Sequence, residues 1–233
     1  MGGRVSSLRE ALRSRRLAGT FLKLPALETV EIAAAELDFA VVDLEHSQLS
    51  DADALRLARH AWAIGFPVVV RMHELDRSLV NRLLEAGAAG IQLSTVRRAA
   101  DVEALRAACL YAPGGTRSIS LSHPGARYGA TALGDYLAEQ EPPLLVAQIE
   151  TATTDDSLET IFAAGVDVAF VGVTDLSVDL GLDAGRVEAR VGEIADAATR
   201  AGVVLGGFGA DERWRYAVAS SDVALLREAY ARG

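Results

Sequence analysis

Phe39-Ala40-Val41-Val42-Asp43-Leu44-Glu45-His46-Ser47 passes within nine residues from an apolar run to a cluster of acid, imidazole and hydroxyl groups. Two later stretches repeat the change: Leu144-Leu145-Val146-Ala147 leads into Gln148-Ile149-Glu150, and Val168-Ala169-Phe170-Val171 into Gly172-Val173-Thr174-Asp175-Leu176-Ser177. Short apolar runs rich in β-branched residues read as strands buried on both faces, the pattern of a parallel sheet. The polar residues therefore gather at the carboxyl ends of strands, the edge at which barrels and open α/β sheets bind ligands.

Working outward, the same alternation of short β-rich runs with Ala/Leu/Arg/Glu helical patterns fills most of the chain, the signature of repeated βα units. Strands are expected at Ala18-Leu22, Phe39-Asp43, Pro67-Arg71, Gly90-Leu93, Leu144-Ile149, Asp167-Gly172 and Val203-Gly207, with a weaker eighth at Tyr216-Ser220. Helices are expected at Leu27-Leu37, Asp51-Ile64, Asp76-Ala86, Ala99-Leu110, Thr154-Ala164 and Val187-Ala201, several stopping at a glycine suited to a left-handed cap: Gly65, Gly87, Gly165 and Gly202. Eight units predict an α/β fold of the closed (β/α)8 TIM-barrel type. A chain of 233 residues suits a single domain over 1–233.

Two regions break the rhythm. A long insertion before the fifth strand, from Tyr111 to Pro143, carries Arg117, His123, Arg127, Tyr128 and a short helix near Leu133-Glu139, and reads as a lid or a subunit contact. After Gly207, the stretch Phe208 to Arg215 leaves little room for a full helix, so the closing unit reads as shortened.

With 23 basic against 32 acidic residues and a net charge of -9, the chain lacks the basic footprint that nucleic-acid binding requires. The single cysteine, Cys109, excludes an intramolecular disulfide and reads as a packed small hydrophobe. The amino terminus alternates Leu8, Leu12 and Leu17 with arginines and has no apolar signal core. No run reaches membrane-spanning length, so a cytoplasmic location is the expectation.

Glu150 and Asp175 follow two different strands and offer the hard oxygens that a divalent cation takes. Either alone is as well explained by a helix cap or an arginine partner; the pair, beside Gln148, favours the cation. Asp43 and His46 form a candidate proton-transfer unit in which the carboxylate orients the imidazole. Arg71, closing the apolar run Pro67 to Val70, either grips an anionic substrate or braces Asp43 or Glu45; the sequence does not separate these. Gly172 and Thr174 open a helix where backbone N–H groups can meet an anion. Ser94 and Thr95 read as helix caps, His73 as peripheral, and Arg117 and His123 as residues that close over a substrate or lie on the surface.

At these positions the sequence resembles the HpcH/HpaI family of metal-dependent pyruvate aldolases, the 4-hydroxy-2-oxoacid aldolases of the phosphoenolpyruvate/pyruvate barrel superfamily. The resemblance runs through Gly19-Thr20-Phe21-Leu22-Lys23-Leu24-Pro25, the Asp43 to Ser47 block, Val70-Arg71, Glu85-Ala86-Gly87-Ala88, Tyr111-Ala112-Pro113-Gly114-Gly115-Thr116-Arg117, Ala126-Arg127-Tyr128-Gly129, Gln148 to Thr151 and Asp175-Leu176-Ser177. It implies a (β/α)8 barrel with Glu150 and Asp175 as ligands of a divalent ion (Mg2+, Mn2+ or Co2+), Arg71 on the pyruvate oxygens and His46 with Asp43 in proton transfer. Gln148 lines the same site. The cation acts as a Lewis acid during retro-aldol cleavage of a 4-hydroxy-2-oxo acid to pyruvate and an aldehyde. The resemblance further implies a homo-oligomer, a trimer or a hexamer, and no Schiff-base lysine; Lys23 is the sole lysine in the chain.

The chain departs from the family at Ser94-Thr95-Val96-Arg97, where a Pro-Met-Val-Asn type of segment is usual, and at Ser118-Ile119-Ser120, where glycine is usual. Two other readings stand beside the aldolase: a citrate-lyase-like or citrate-synthase-like enzyme acting on a CoA thioester, and a non-catalytic barrel that binds a small acid.

Overall fold

The structure is a computed structural model that describes residues 8–233. The described chain runs α1 (Leu8–Ser14), β1 (Leu17–Leu22), α2 (Leu27–Glu36), β2 (Phe39–Asp43), α3 (Asp51–Ile64), β3 (Val68–Met72), α4 (Arg77–Ala86), β4 (Gly90–Leu93) and α5 (Ala99–Cys109). The insertion follows, with a short 3-10 turn (Pro124–Gly129) and α6 (Leu133–Glu139). Then come β5 (Leu144–Ile149), α7 (Leu158–Ala163), β6 (Val168–Val171), α8 (Val173–Asp179), α9 (Ala184–Ala201), β7 (Val204–Phe208), β8 (Tyr216–Ser221) and α10 (Asp222–Arg232). The eight strands pair in parallel and in sequence order, and β8 returns to β1 to close a (β/α)8 barrel.

Side-chain alternation along each strand divides the core in two. Ala40, Val42, Val68, Val70 and Ile91 face outward and pack with α2 to α5, α7 and α9. Phe39, Val41, Val69, Leu144, Val146, Val168, Phe170, Tyr216 and Val218 face inward and fill the lower barrel, where Phe39 stacks on Tyr216 at 4.3 Å between ring centroids. Leu8 and Leu12 of α1 plug this end from below, and Arg9 fastens the helix through Asp167 at 2.6 Å. The amphipathic amino-terminal pattern is thus the barrel's floor.

Local signals place the helices. Ser50 and Asp53 form a capping box on α3, and Asp76 and Asp183 cap α4 and α9. Gly65, Gly87 and Gly202 are left-handed caps, whereas Gly165 lies one residue past the cap of α7. Helix α7 starts at Leu158 rather than Thr154, because Ser157 is its cap and Asp155 and Asp156 instead bind the Arg97 to Ala99 segment.

The eighth strand forms where expected, and no described helix separates β7 from β8. The Trp214 indole, only 1% exposed, covers the outer barrel face in its place; a Cβ on Gly207 would lie 2.6 Å from that ring. No described helix is long and apolar enough to cross a membrane.

The insertion corrects one expectation. Arg117 stacks on Tyr111 and donates to Asn81, while His123 is 7% exposed and packs edge-on against Tyr136. Both line a cleft of about 650 Å³ with Pro67, Ala89 and Leu144, which precede or begin β3, β4 and β5. Within this chain the insertion therefore flanks the amino-terminal end of the barrel and is no lid over the carboxyl ends. Burial lowers the His123 pKa and pushes the Cys109 thiol up to about 12, so Cys109 is no poised nucleophile.

Candidate active site

The inward alternation that fills the lower barrel with apolar groups continues upward into polar ones. Phe39 and Val41 are followed two residues on by Asp43, Val69 by Arg71, Gly90 by Gln92, Leu144 and Val146 by Gln148 and then Glu150. Register sets them side by side, Asp43 opposite Arg71 and Arg71 opposite Gln92. The result is a row of buried polar side chains across β2 to β5: Asp43, Arg71, Gln92, Gln148 and Glu150 are each at most 6% exposed.

Buried charge requires a partner. The Arg71 guanidinium meets Asp43 through two hydrogen bonds, Nε to Oδ1 at 2.9 Å and Nη2 to Oδ2 at 2.7 Å, and lies 3.4 Å from Glu45. Its planar face sits 4.4 Å from the Phe21 ring centroid. Arg71 thus braces both carboxylates, one of the two roles that the sequence leaves open for it. Lys23 Nζ adds a contact to Asp43 at 3.1 Å. Burial alone would raise the Asp43 pKa, but the Arg71 bonds and charge, the His46 N–H and Lys23 outweigh it and hold the carboxyl at about 2.

The expectation that Asp43 orients the His46 imidazole is corrected. Asp43 Oδ1 accepts the backbone N–H groups of Glu45 and His46, each at 3.1 Å, while the His46 side chain is 53% exposed. Its Nε2 lies 3.9 Å from Glu45 Oε2. A carboxylate already holding Arg71 and Lys23 has spare lone pairs only for the adjoining loop.

Glu150 is held by three donors. Oε1 accepts the backbone N–H and hydroxyl of Thr95, at 2.8 and 2.6 Å, and Oε2 accepts the Gln148 amide, itself bonded to Gln92 at 2.6 Å. Thr95 takes the left-handed conformation, φ 51°, costly for a β-branched residue and offset here by its two bonds to Glu150. Gly172 explains itself by close approach: a Cβ there would lie 2.5 Å from Glu150 Oε2. Its φ of -81° requires no glycine. Thr174 and Asp175 are exposed in the first turn of α8, directly after this contact.

Sequence reading missed Ser94, Thr95 and Gln92 as site residues. Ser94 and Thr95 cap no helix: Ser94 donates to Glu45 at 2.6 Å, Thr95 to Glu150, and Arg98 holds the N-cap position of α5. A glutamine within the otherwise apolar run Gly90–Leu93 was the available signal. His73 is exposed as expected, yet its Nδ1 reaches Glu45 at 3.3 Å.

The donor set fits a hard divalent cation. Glu150 and Asp175 bring carboxylate oxygens, Glu150 Oε2 keeps lone-pair capacity beyond its one bond, and the missing Cβ of Gly172 leaves room beside that oxygen. No three His, Cys, Asp or Glu residues among those described gather into a full metal cage.

Residues 18–217 match the HpcH/HpaI aldolase/citrate lyase family. A hydroxypyruvate/pyruvate aldolase of Rhizorhabdus wittichii is 32% identical over 231 residues, covering 91% of this chain and 90% of that protein. A 4-hydroxy-4-methyl-2-oxoglutarate aldolase of Chaetomium globosum is 35% identical over 166 residues, covering 69% of this chain and 61% of its own length. The crystal structure of an HpcH/HpaI aldolase from Desulfitobacterium hafniense superposes with a TM-score of 0.88 at 29% identity, covering 97% of this chain and 94% of the other. The chain therefore belongs to the HpcH/HpaI aldolase/citrate lyase family and is an enzyme of the carbon–carbon lyase class.

Proposed function

We propose that this enzyme is a class II, divalent-metal-dependent aldolase that reversibly cleaves a 4-hydroxy-2-oxo acid to pyruvate and an aldehyde. Glu150 and Asp175 hold the cation, Mg2+, Mn2+ or Co2+. When bound, the cation supplies Lewis acidity to the oxygens of the 2-oxo acid. Gln148, Gly172 and Thr174 line the bound acid. Gln148 keeps one Glu150 oxygen in place through its amide, and Gly172 leaves space beside it.

Arg71, fixed by Asp43 and stacked on Phe21, presents its charge toward the 2-oxo oxygen as electrons of the breaking C3–C4 bond reach it. His46, with a ring free of hydrogen bonds to Asp43, takes the proton of the C4 hydroxyl during cleavage and returns it in the reverse addition. Asp43 serves this step through the loop backbone. The observation that carries the reading is the buried row from Asp43 to Glu150, because a structural barrel end has no use for two buried acids and a buried guanidinium in one layer. Small-molecule 2-oxo acids and aldehydes are the partners. A homo-oligomer, trimer or hexamer, is supported by the exposed Val223, Leu225, Leu226 and Tyr230 on α10.

Proton NMR of pyruvate in D2O tests the reading without choosing an aldehyde. Methyl exchange that depends on Mg2+ or Mn2+ and disappears in Glu150→Ala is expected; absence of exchange with every metal in folded protein overturns it.

A further inference from the structure

Lys23, the sole lysine of the chain, has no role in the chemistry described so far. It stands two residues beyond Phe21, just past the end of β1, with its side chain 25% exposed. Its ammonium makes two polar contacts, 3.1 Å to Asp43 Oδ2 and 3.2 Å to the backbone carbonyl of His46, and lies 5.8 Å from the Phe21 ring centroid. Asp43 in turn accepts the backbone N–H of His46. The His46 residue is thus gripped on both sides of its Cα, N–H by Asp43 and C=O by Lys23, and the two gripping charges are paired with each other. Among the described residues the imidazole makes no hydrogen bond, and its Nε2 lies 3.9 Å from Glu45. Its position is set through its backbone.

Lys23 is itself anchored. Its backbone N–H and that of Leu24 both donate to the Asp222 carboxylate at 3.0 to 3.1 Å. Asp222 opens α10 immediately after β8, so this contact spans the seam at which the barrel closes. A continuous chain of bonds then runs from α10 through Asp222, the β1 loop and Lys23 to the His46 loop.

We propose that Lys23, anchored by Asp222, is a positioning residue that clamps the His46 loop and thereby couples the closing helix α10 to proton transfer. The proposal rests on the aldolase reading above for its catalytic consequence, while the clamp itself is a statement about the loop.

The test compares Lys23→Met, which keeps the stem and removes the ammonium, with Lys23→Arg and with Asp222→Asn, using full-length protein loaded with Mn2+. Two readouts separate the clamp from the reaction. Amide hydrogen exchange at Glu45 and His46 is expected to accelerate on the order of tenfold or more in Lys23→Met, with the barrel strands unchanged. Asp222→Asn moves the same amides in the same direction by less, and Lys23→Arg restores most of the protection. Retro-aldol cleavage of 4-hydroxy-4-methyl-2-oxoglutarate, read as pyruvate released, is expected to lose roughly ten- to a hundredfold in kcat in Lys23→Met at nearly constant KM, because Lys23 touches the residue that takes the C4 hydroxyl proton and not the 2-oxo acid. Unchanged amide protection in folded Lys23→Met overturns the clamp, and changed protection with unchanged kcat overturns its coupling to catalysis. Absence of methyl exchange in the unmodified enzyme defeats the aldolase reading instead, and the amide comparison still decides the clamp. Should Lys23→Met not fold, Asp222→Asn carries the same two readouts.

Discussion

The two ends of the barrel interior are built on the same strands with the same alternation, yet they do opposite work. At the amino end, Leu17, Phe39, Val41, Val69, Leu144 and Val168 interdigitate with Leu8 and Leu12 of α1 into an apolar plug. Two residues further along, the inward positions become Asp43, Arg71, Gln92 and Gln148, and every one of them needs a partner. Burial stabilises the first layer and penalises the second. On the reading proposed above the second layer is kept for what it binds, with the apolar plug packed below it.

The sharpest way to break this contrast is Arg71→Ala. It removes the two guanidinium bonds from a carboxylate at 0% exposure and leaves it only Lys23 and two backbone N–H groups, so thermal or chemical unfolding is expected to show a loss of about 3 kcal/mol together with loss of methyl exchange. Replacing both partners, Asp43→Leu with Arg71→Met, recovers most of that stability but none of the activity, which separates bracing from chemistry. Leu12→Ala, in the plug, is expected to cost about 2–4 kcal/mol while leaving the exchange rate per folded molecule unchanged.

Gly172→Ala probes the boundary between layers. The new methyl meets Glu150 Oε2 at 2.5 Å, so denaturation is expected to register about 1–3 kcal/mol, and the affinity for Mn2+ falls because Glu150 must move. Acid unfolding gives the mildest test. The Asp43 carboxyl, held at about 2, contributes roughly 2 kcal/mol that is fully present above about pH 4. This contribution is lost as the pH falls through its folded-state value, and Asp43→Asn should flatten that part of the stability curve.

Much of this contrast was legible in the chain. Phe39–Asp43, Gly90–Leu93 and Leu144–Ile149 were bounded to the residue because strands buried on both faces read as uninterrupted apolar runs that stop at polar groups. Asp43, Arg71, Gln148 and Glu150 stood out for the complementary reason, as ionic or polar groups on strands with no solvated face. What stayed hidden depends on contacts distant in sequence. Thr95 reaches Glu150 across 55 positions and does so in a backbone conformation that threonine rarely adopts, so it read as a cap. Asp43 and His46 looked like a side-chain pair because spacing reveals nearness but not which atoms of the histidine are met. Trp214 replacing a helix, and the insertion lying by the amino end, are likewise set by packing between elements and not by local pattern.

The claim beneath the whole comparison is that the upper layer is a site for a cation and a 2-oxo acid together. Electron paramagnetic resonance of Mn2+ titrated into the protein, with and without pyruvate, tests it most directly. One bound ion per chain is expected, tighter with pyruvate present and lost in Glu150→Gln. Binding that ignores both pyruvate and the Glu150 substitution would contradict it.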